Sequence, residues 1–220
     1  MKPAGAALVC AAVSVGWNNL VLPAMGLPPR GRAIANTAFA AAVTAGARAG
    51  GLSPRELGRR APGESRRWEL AAVALPVAAY AVLLRIPQTR RRFATPERRT
   101  DHLEWVLVHI PFGTVLTEEL VFRSVLYALA RRMSPRWGGA LGAVAFGLWH
   151  IDPARRAGDS VLGTVLFTAA AGVVFDELRR RSGSVIAPML AHLAVNAGGA
   201  VAVRIASEPA GTRLGRRGST

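Results

Sequence analysis

The sequence predicts an all-α, polytopic helical membrane protein, and three observations carry that expectation. Apolar residues make up 51% of the 220 residues, with 23 glycines besides, more than soluble domains carry. They gather in seven runs that are nearly free of charge. The charge itself, 28 Lys+Arg against 13 Asp+Glu for a formal +15, falls almost wholly between those runs. Such a chain is too apolar for intrinsic disorder. Its single cysteine, Cys10, excludes a disulfide scaffold. A pI of about 11.8 would suit a nucleic-acid binder, but charge placed at the ends of apolar runs points to membrane edges, so no nucleic-acid partner is expected.

The first run, Ala4 to Met25, has 22 residues and no charge, which satisfies the roughly 20 residues needed to span a bilayer. It reads as a retained helix rather than a cleaved signal peptide. Only Lys2 precedes it, the apolar core is long, no A-x-A site follows, and Val9 spoils a lipobox around Cys10. Cys10 itself reads as a small packing residue. The runs Ala33–Ala47, Leu70–Leu84, Trp137–Ile151 and Ser160–Phe175 are shorter. They span only if flanking Arg side chains snorkel, or they are re-entrant or tilted. Trp105–Ala130 is longer and is interrupted by charge. The last, Ser182–Val203, again has 22 residues, with His192 its one ionisable group. About seven transmembrane helices (six to eight) follow, in one integral-membrane domain over residues 1–206. Residues 101–206 carry the motif-bearing core, and 207–220 form a polar tail expected to be disordered. With seven spans, 14 basic residues fall on one side and 13 on the other, so the positive-inside rule assigns no orientation. The clusters read as anchors at lipid headgroups.

Three charged residues sit deep inside an apolar run: Glu118, Glu119 and Arg123. A carboxylate in hydrocarbon costs on the order of 2.5–3.5 kcal/mol, so they demand partners. Glu119 and Arg123 are four residues apart, share a helix face and can pair. Glu118 lies about 100° around the helix and is left over. Two further runs carry polar clusters. His150 ends FGLWH with Phe146 one turn before it, and His192 opens HLAVN with Asn196 one turn after it. Pro188, four residues before His192, is expected to kink the last helix. His102 and His109 lack such company and read as structural.

Common catalytic arrangements are missing. There is no H-E-x-x-H, G-x-S-x-G or phosphate-binding loop in the sequence. If the three clusters converge, Glu118 with a histidine can deprotonate a water for attack on a peptide carbonyl, and a second histidine with an amide can hold the oxyanion. The same residues offer a three-ligand divalent-metal site, a zinc ion on His150, His192 and Glu118. The residues alone leave both open. An ion or proton relay through Glu118, His150 and His192 in a transporter, or a silent immunity scaffold, is the alternative outside enzymology. No matching half-repeats favour the carrier.

EELVFR, FGLWH and HLAVN, in that order on membrane segments, resemble the E-E-x-x-x-R, F-x-x-x-H and H-x-x-x-N pattern of the CAAX-protease and bacteriocin-processing (Abi) family of intramembrane endopeptidases. The resemblance covers Glu118 to Asn196, a little over a third of the chain. It implies that Glu118 activates the water with help from His150, and that His192 and Asn196 stabilise the oxyanion. It further implies that Glu119 and Arg123 organise the site and that Phe146 lines it. The substrate it implies is a membrane-associated peptide or protein with a CAAX-type prenylated C-terminus. Heavy Ala, Arg and Gly usage suggests a GC-rich bacterial genome, hence a bacterial plasma membrane. Leader peptides or sorting tags join the substrate classes on that ground.

Overall fold

A computed structural model describes residues 2–60, 63–95, 99–134 and 138–208. The expected disordered tail therefore lies, from residue 209 on, outside the described residues. All seven apolar runs are helical, and no strand occurs among the described residues. The helices are α1 (Pro3–Ala24), α2 (Pro29–Ala49), α3 (Arg66–Leu83), α4 (Pro87–Phe93), α5 (His102–Met133), α6 (Gly138–Trp149), α7 (Ile151–Ala157), α8 (Val161–Ser182) and α9 (Ile186–Ser207).

Among the described residues four helices, α1, α5, α8 and α9, can cross a membrane by length and composition, or five if α3 and α4, bent by 106°, form one span, fewer than the expected six to eight. The two remaining apolar runs are less suited to span, each for a physical reason. Helix α2 has 21 residues but carries Arg30, Arg32 and Arg48 at its ends, and α6 has only 12 residues. The integral-membrane character stands on large apolar side chains that face outward. Leu20 of α1 is 71% exposed, Leu75 of α3 71% and Phe167 of α8 73%. In water such faces would be liabilities; in lipid they are the solvent-facing surface.

Helix starts follow sequence punctuation. Proline occupies the first position of α1, α2 and α4, where its missing N–H would have no helical partner anyway. Ser160 caps α8, its Oγ accepting from Gly163 N at 3.2 Å. Pro188 corrects an expectation. Helix α9 begins at Ile186, so Pro188 lies in its first turn and kinks nothing.

Helix α5 departs from regular geometry. It is π-helical over Trp105–Leu116 and again over Glu119–Leu126, and Glu118 and Glu119 fall at the junction. Wider π turns occur mostly as local insertions and frequently at functional sites. Around α5 the core joins Ala11 of α1, Ala40 of α2, Val121, Phe122 and Leu126 of α5, and Phe146 and Trp149 of α6. Helices α6 and α8 touch closely because α6 carries glycines on the shared face. A Cβ at Gly147 would meet the Val165 carbonyl oxygen at 2.7 Å, and one at Gly142 would meet Asp176 Oδ2 at 2.9 Å. Small residues give this kind of backbone approach in membrane bundles.

Candidate active site

The three clusters converge. Glu118, from the junction in α5, is buried, and its Oε1 accepts a hydrogen bond from Trp149 Nε1 at 3.1 Å. Its Oε2 lies 3.8 Å from His150 Nε2 and 3.9 Å from His192 Nε2. It has no hydrogen-bond partner among the described residues.

Helix α6 ends at Trp149, and His150 stands in the break before α7 with φ −92° and ψ 8°. There its ring folds back on its own helix, with Nδ1 2.8 Å from the Phe146 carbonyl oxygen. A carbonyl only accepts, so Nδ1 carries a proton and Nε2 is the atom turned toward Glu118. His192 sits in α9 with Nδ1 2.8 Å from Glu119 Oε1. An ionised Glu119 likewise fixes a proton on Nδ1 and leaves Nε2 facing Glu118. Both imidazoles are thus oriented through one nitrogen so that the other faces a single carboxylate oxygen.

Glu119 is fully buried, and Arg123 is 1% exposed. Arg123 Nη1 is 3.5 Å from Glu119 Oε1, and its Nε is 3.5 Å from Asp176 Oδ1 of α8. The guanidinium lies over the Phe146 ring at 3.9 Å from its centroid, with Phe175 at 5.1 Å. Stacking of this kind stabilises a desolvated cation by about 2 kcal/mol or more. The expected Glu119–Arg123 pair is therefore present, within a larger group that ties α5, α6, α8 and α9 together.

Asn196 and Phe146 both line a cavity of about 1220 Å³ that also admits Glu118, His150 and His192. Asn196 makes no hydrogen bond among the described residues, which leaves its amide available to a ligand. His109 is buried and lines the same cavity, with its Nε2 3.2 Å from Glu104 Oε1. His102 lies elsewhere, in a smaller hollow beside Arg99 and Arg204.

Three residues of this group have no counterpart in the sequence reading: Trp149, Phe175 and Asp176. Trp149 and Phe175 look like ordinary apolar residues in their runs. Asp176 begins the charged stretch DELRRR, which reads as the start of a loop, whereas α8 continues through it to Ser182. Arg179 needs the same correction. Expected as a headgroup anchor, it is 4% exposed and donates to the carbonyls of Arg123 at 3.0 Å and Glu56 at 2.8 Å.

A metal can be tested against this geometry. Ligands of a tetrahedral zinc at about 2.0–2.1 Å stand ~3.3 Å apart. The two Nε2 atoms are 3.8 and 3.9 Å from Glu118 Oε2, and no group of three His, Cys, Asp or Glu side chains among the described residues suits a metal ion. In this arrangement both Nε2–Oε2 separations exceed that ligand spacing.

Residues 100–198 match the family model described as type II CAAX prenyl endopeptidase Rce1-like. No curated protein and no solved structure matches the chain. The matched segment, a little under half of the chain, holds Glu118, Glu119, Arg123, Phe146, His150, His192 and Asn196. Together with the apolar helices and the convergence of those residues, the match places residues 100–198 of this membrane protein in the CAAX protease family, as a core of the Rce1-like type.

Proposed function

We propose that this protein is an intramembrane endopeptidase that cleaves a membrane-associated peptide by attack of a water activated by Glu118 and His150. One observation carries the reading: Glu118 Oε2 is buried, unpartnered among the described residues, and faced by Nε2 of both histidines at 3.8 and 3.9 Å. Gaps of that size are too long for direct hydrogen bonds and suit one bridged by a water. The ionised Glu118 takes a proton from the water while His150 Nε2 accepts the other hydrogen. The water oxygen bonds to the scissile carbonyl carbon, and the carbonyl π electrons move onto its oxygen. His192 donates to that oxyanion from Nε2 when its ring is protonated, and Asn196 donates from its amide. Collapse of the intermediate breaks the C–N bond, and Glu118 passes its proton to the leaving nitrogen.

The cavity is mixed in character, with apolar walls from Phe146, Phe175 and Phe167 beside the polar group. That suits a substrate whose apolar part stays in lipid, such as a prenylated C-terminal peptide. A leader peptide or sorting tag is the alternative occupant. Quenched peptides offered to the purified protein in bilayer discs test this. We expect hydrolysis, faster for the prenylated peptide than for its free counterpart and unchanged by chelator. Dissipation of an ion gradient in liposomes without any cleavage contradicts the reading, and loss of cleavage on chelation contradicts its metal-free chemistry.

A further inference from the structure

We propose that Asn18 and Asn19, in the first helix and outside the family-matched segment, are positioning residues that fix the helix break carrying His150. The inference rests on the role given to His150 above, but its geometry stands independently. Were α6 to continue into α7, the Leu148 carbonyl would accept from the Asp152 N–H, and the Trp149 carbonyl would accept from residue 153. Neither bond forms. Residue 153 is proline, which has no N–H. The Leu148–Asp152 bond is opened by the break at His150.

The two asparagines replace both bonds. Asn18 Nδ2 donates to the Trp149 carbonyl at 2.8 Å. Asn19 inserts its carboxamide into the other gap. Its Nδ2 donates to the Leu148 carbonyl at 2.9 Å, and its Oδ1 accepts from Asp152 N at 2.6 Å. The remaining amide hydrogen of Asn19 goes to its own helix, at Val15 O, 2.8 Å away. The partners dictate each amide's orientation, since carbonyls only accept and an N–H only donates.

The local sequence serves this arrangement. Helix α1 is π-helical over Trp17–Val21, and the wider turn brings consecutive side chains closer in angle, so adjacent asparagines can address one break. His150 occupies the N-cap position of α7 but makes no side-chain cap there. Asn19 supplies the capping acceptor in its place, which frees the His150 ring to bond Phe146 O and face Glu118. An uncapped break would leave two carbonyls and an N–H without these partners, the Trp149 carbonyl in a buried position. It would relax by moving His150.

Substitutions at position 19 separate the bonds. Asn19→Asp keeps the acceptor for Asp152 N and loses both donors; Asn19→Leu loses everything. We expect kcat to fall about 10- to 100-fold in Asn19→Leu with KM nearly unchanged, and to a lesser degree in Asn19→Asp and Asn18→Asp. The pH profile of kcat should shift in the same order. Hydrogen exchange at the Asp152 amide, read without substrate, should quicken in Asn19→Leu and in the smaller Asn19→Ala, and stay near wild type in Asn19→Asp, which keeps the acceptor. Arg132→Gln, which cuts a peripheral ion pair to Glu56, serves as the control and should lower Tm without moving the pH profile or that amide. Asn19→Ala, which also loses every bond but adds no bulk, keeps the test available if Asn19→Leu fails to fold. Unchanged exchange at Asp152 in Asn19→Leu or Asn19→Ala overturns the proposal whatever the substrate is. So does a kcat loss that Arg132→Gln reproduces at an equal fall in Tm. Absence of any peptidase activity would count against the proposed function and leave the exchange measurement to decide this one.

Discussion

Arg123 has no water to turn to. At 1% exposure it depends on Glu119, Asp176 and the faces of Phe146 and Phe175. Removing one partner of a buried ion pair costs about 3–5 kcal/mol, because the charge left behind stays desolvated. Arg123→Met should therefore lower Tm sharply and strand Glu119 and Asp176, as thermal unfolding in detergent would show. Arg123→Lys should recover little, since an ammonium cannot stack flat on Phe146. A Tm equal to wild type in both would contradict this description of the group. Glu118 stands apart from that group, since its Oε1 has only Trp149 and its Oε2 faces the cavity. That division between a carboxylate paired with Arg123 and one left without a cation was legible in the sequence, because Glu119 has an Arg one turn away and Glu118 does not. The share of His192 in Glu119 was not legible, because 73 residues separate them. Asn18 and Asn19 escaped for a similar reason: uncharged, they disturb no hydropathy pattern, and their partners lie about 130 residues on.

At the scale of elements, the site depends on how closely α8 approaches α6. Gly147 has no room for a side chain against the Val165 carbonyl, and backbone cannot swing aside as a flexible side chain does. Gly147→Leu should push α8 outward, carrying Phe175 and Asp176 away from Arg123, with a loss of about 1–3 kcal/mol. Activity should fall with stability, as paired unfolding and cleavage assays would record. The segment after α2 offers a milder test. Arg132 binds Glu56 bidentately, donating from Nε at 2.7 Å and Nη2 at 2.9 Å. That contact, with Ser53 assisting, holds the Glu56 carboxyl down at about 2. A carboxyl depressed in the folded state stabilises above its unfolded value, near 4.5, and loses that contribution as pH falls toward 2. The Tm gap between wild type and Glu56→Gln should thus be present at pH 7 and close between about pH 4.5 and 2. It should be small, since the pair is solvent-screened. A gap that persisted at pH 2 would contradict the assignment. Helix existence was legible throughout, as each apolar run became a helix. Helix ends were less so. DELRRR looked like loop but is the last turn and a half of α8, where cationic side chains suit the helix C-terminus.

For the whole molecule, the excess of positive charge and the excess of apolar surface have one cause, a bundle whose outer faces meet lipid and whose ends meet headgroups. Membrane character and the location of the polar centre were open to sequence reading, because charge inside hydrocarbon is costly and therefore conspicuous. What the sequence could not convey is how the first helix supports the family-matched core, since hydrogen bonds from neutral amides leave no trace in composition. The central claim is that Glu118 activates the hydrolytic water while Glu119 maintains the structure. It is tested most directly by kcat/KM and Tm of Glu118→Gln beside Glu119→Gln, on a peptide substrate in bilayer discs. The account predicts that Glu118→Gln loses about 10²–10⁴ in rate, the reach of a general base, with Tm close to wild type, while Glu119→Gln lowers Tm. A Glu118→Gln protein that still cleaves at the wild-type rate would contradict it.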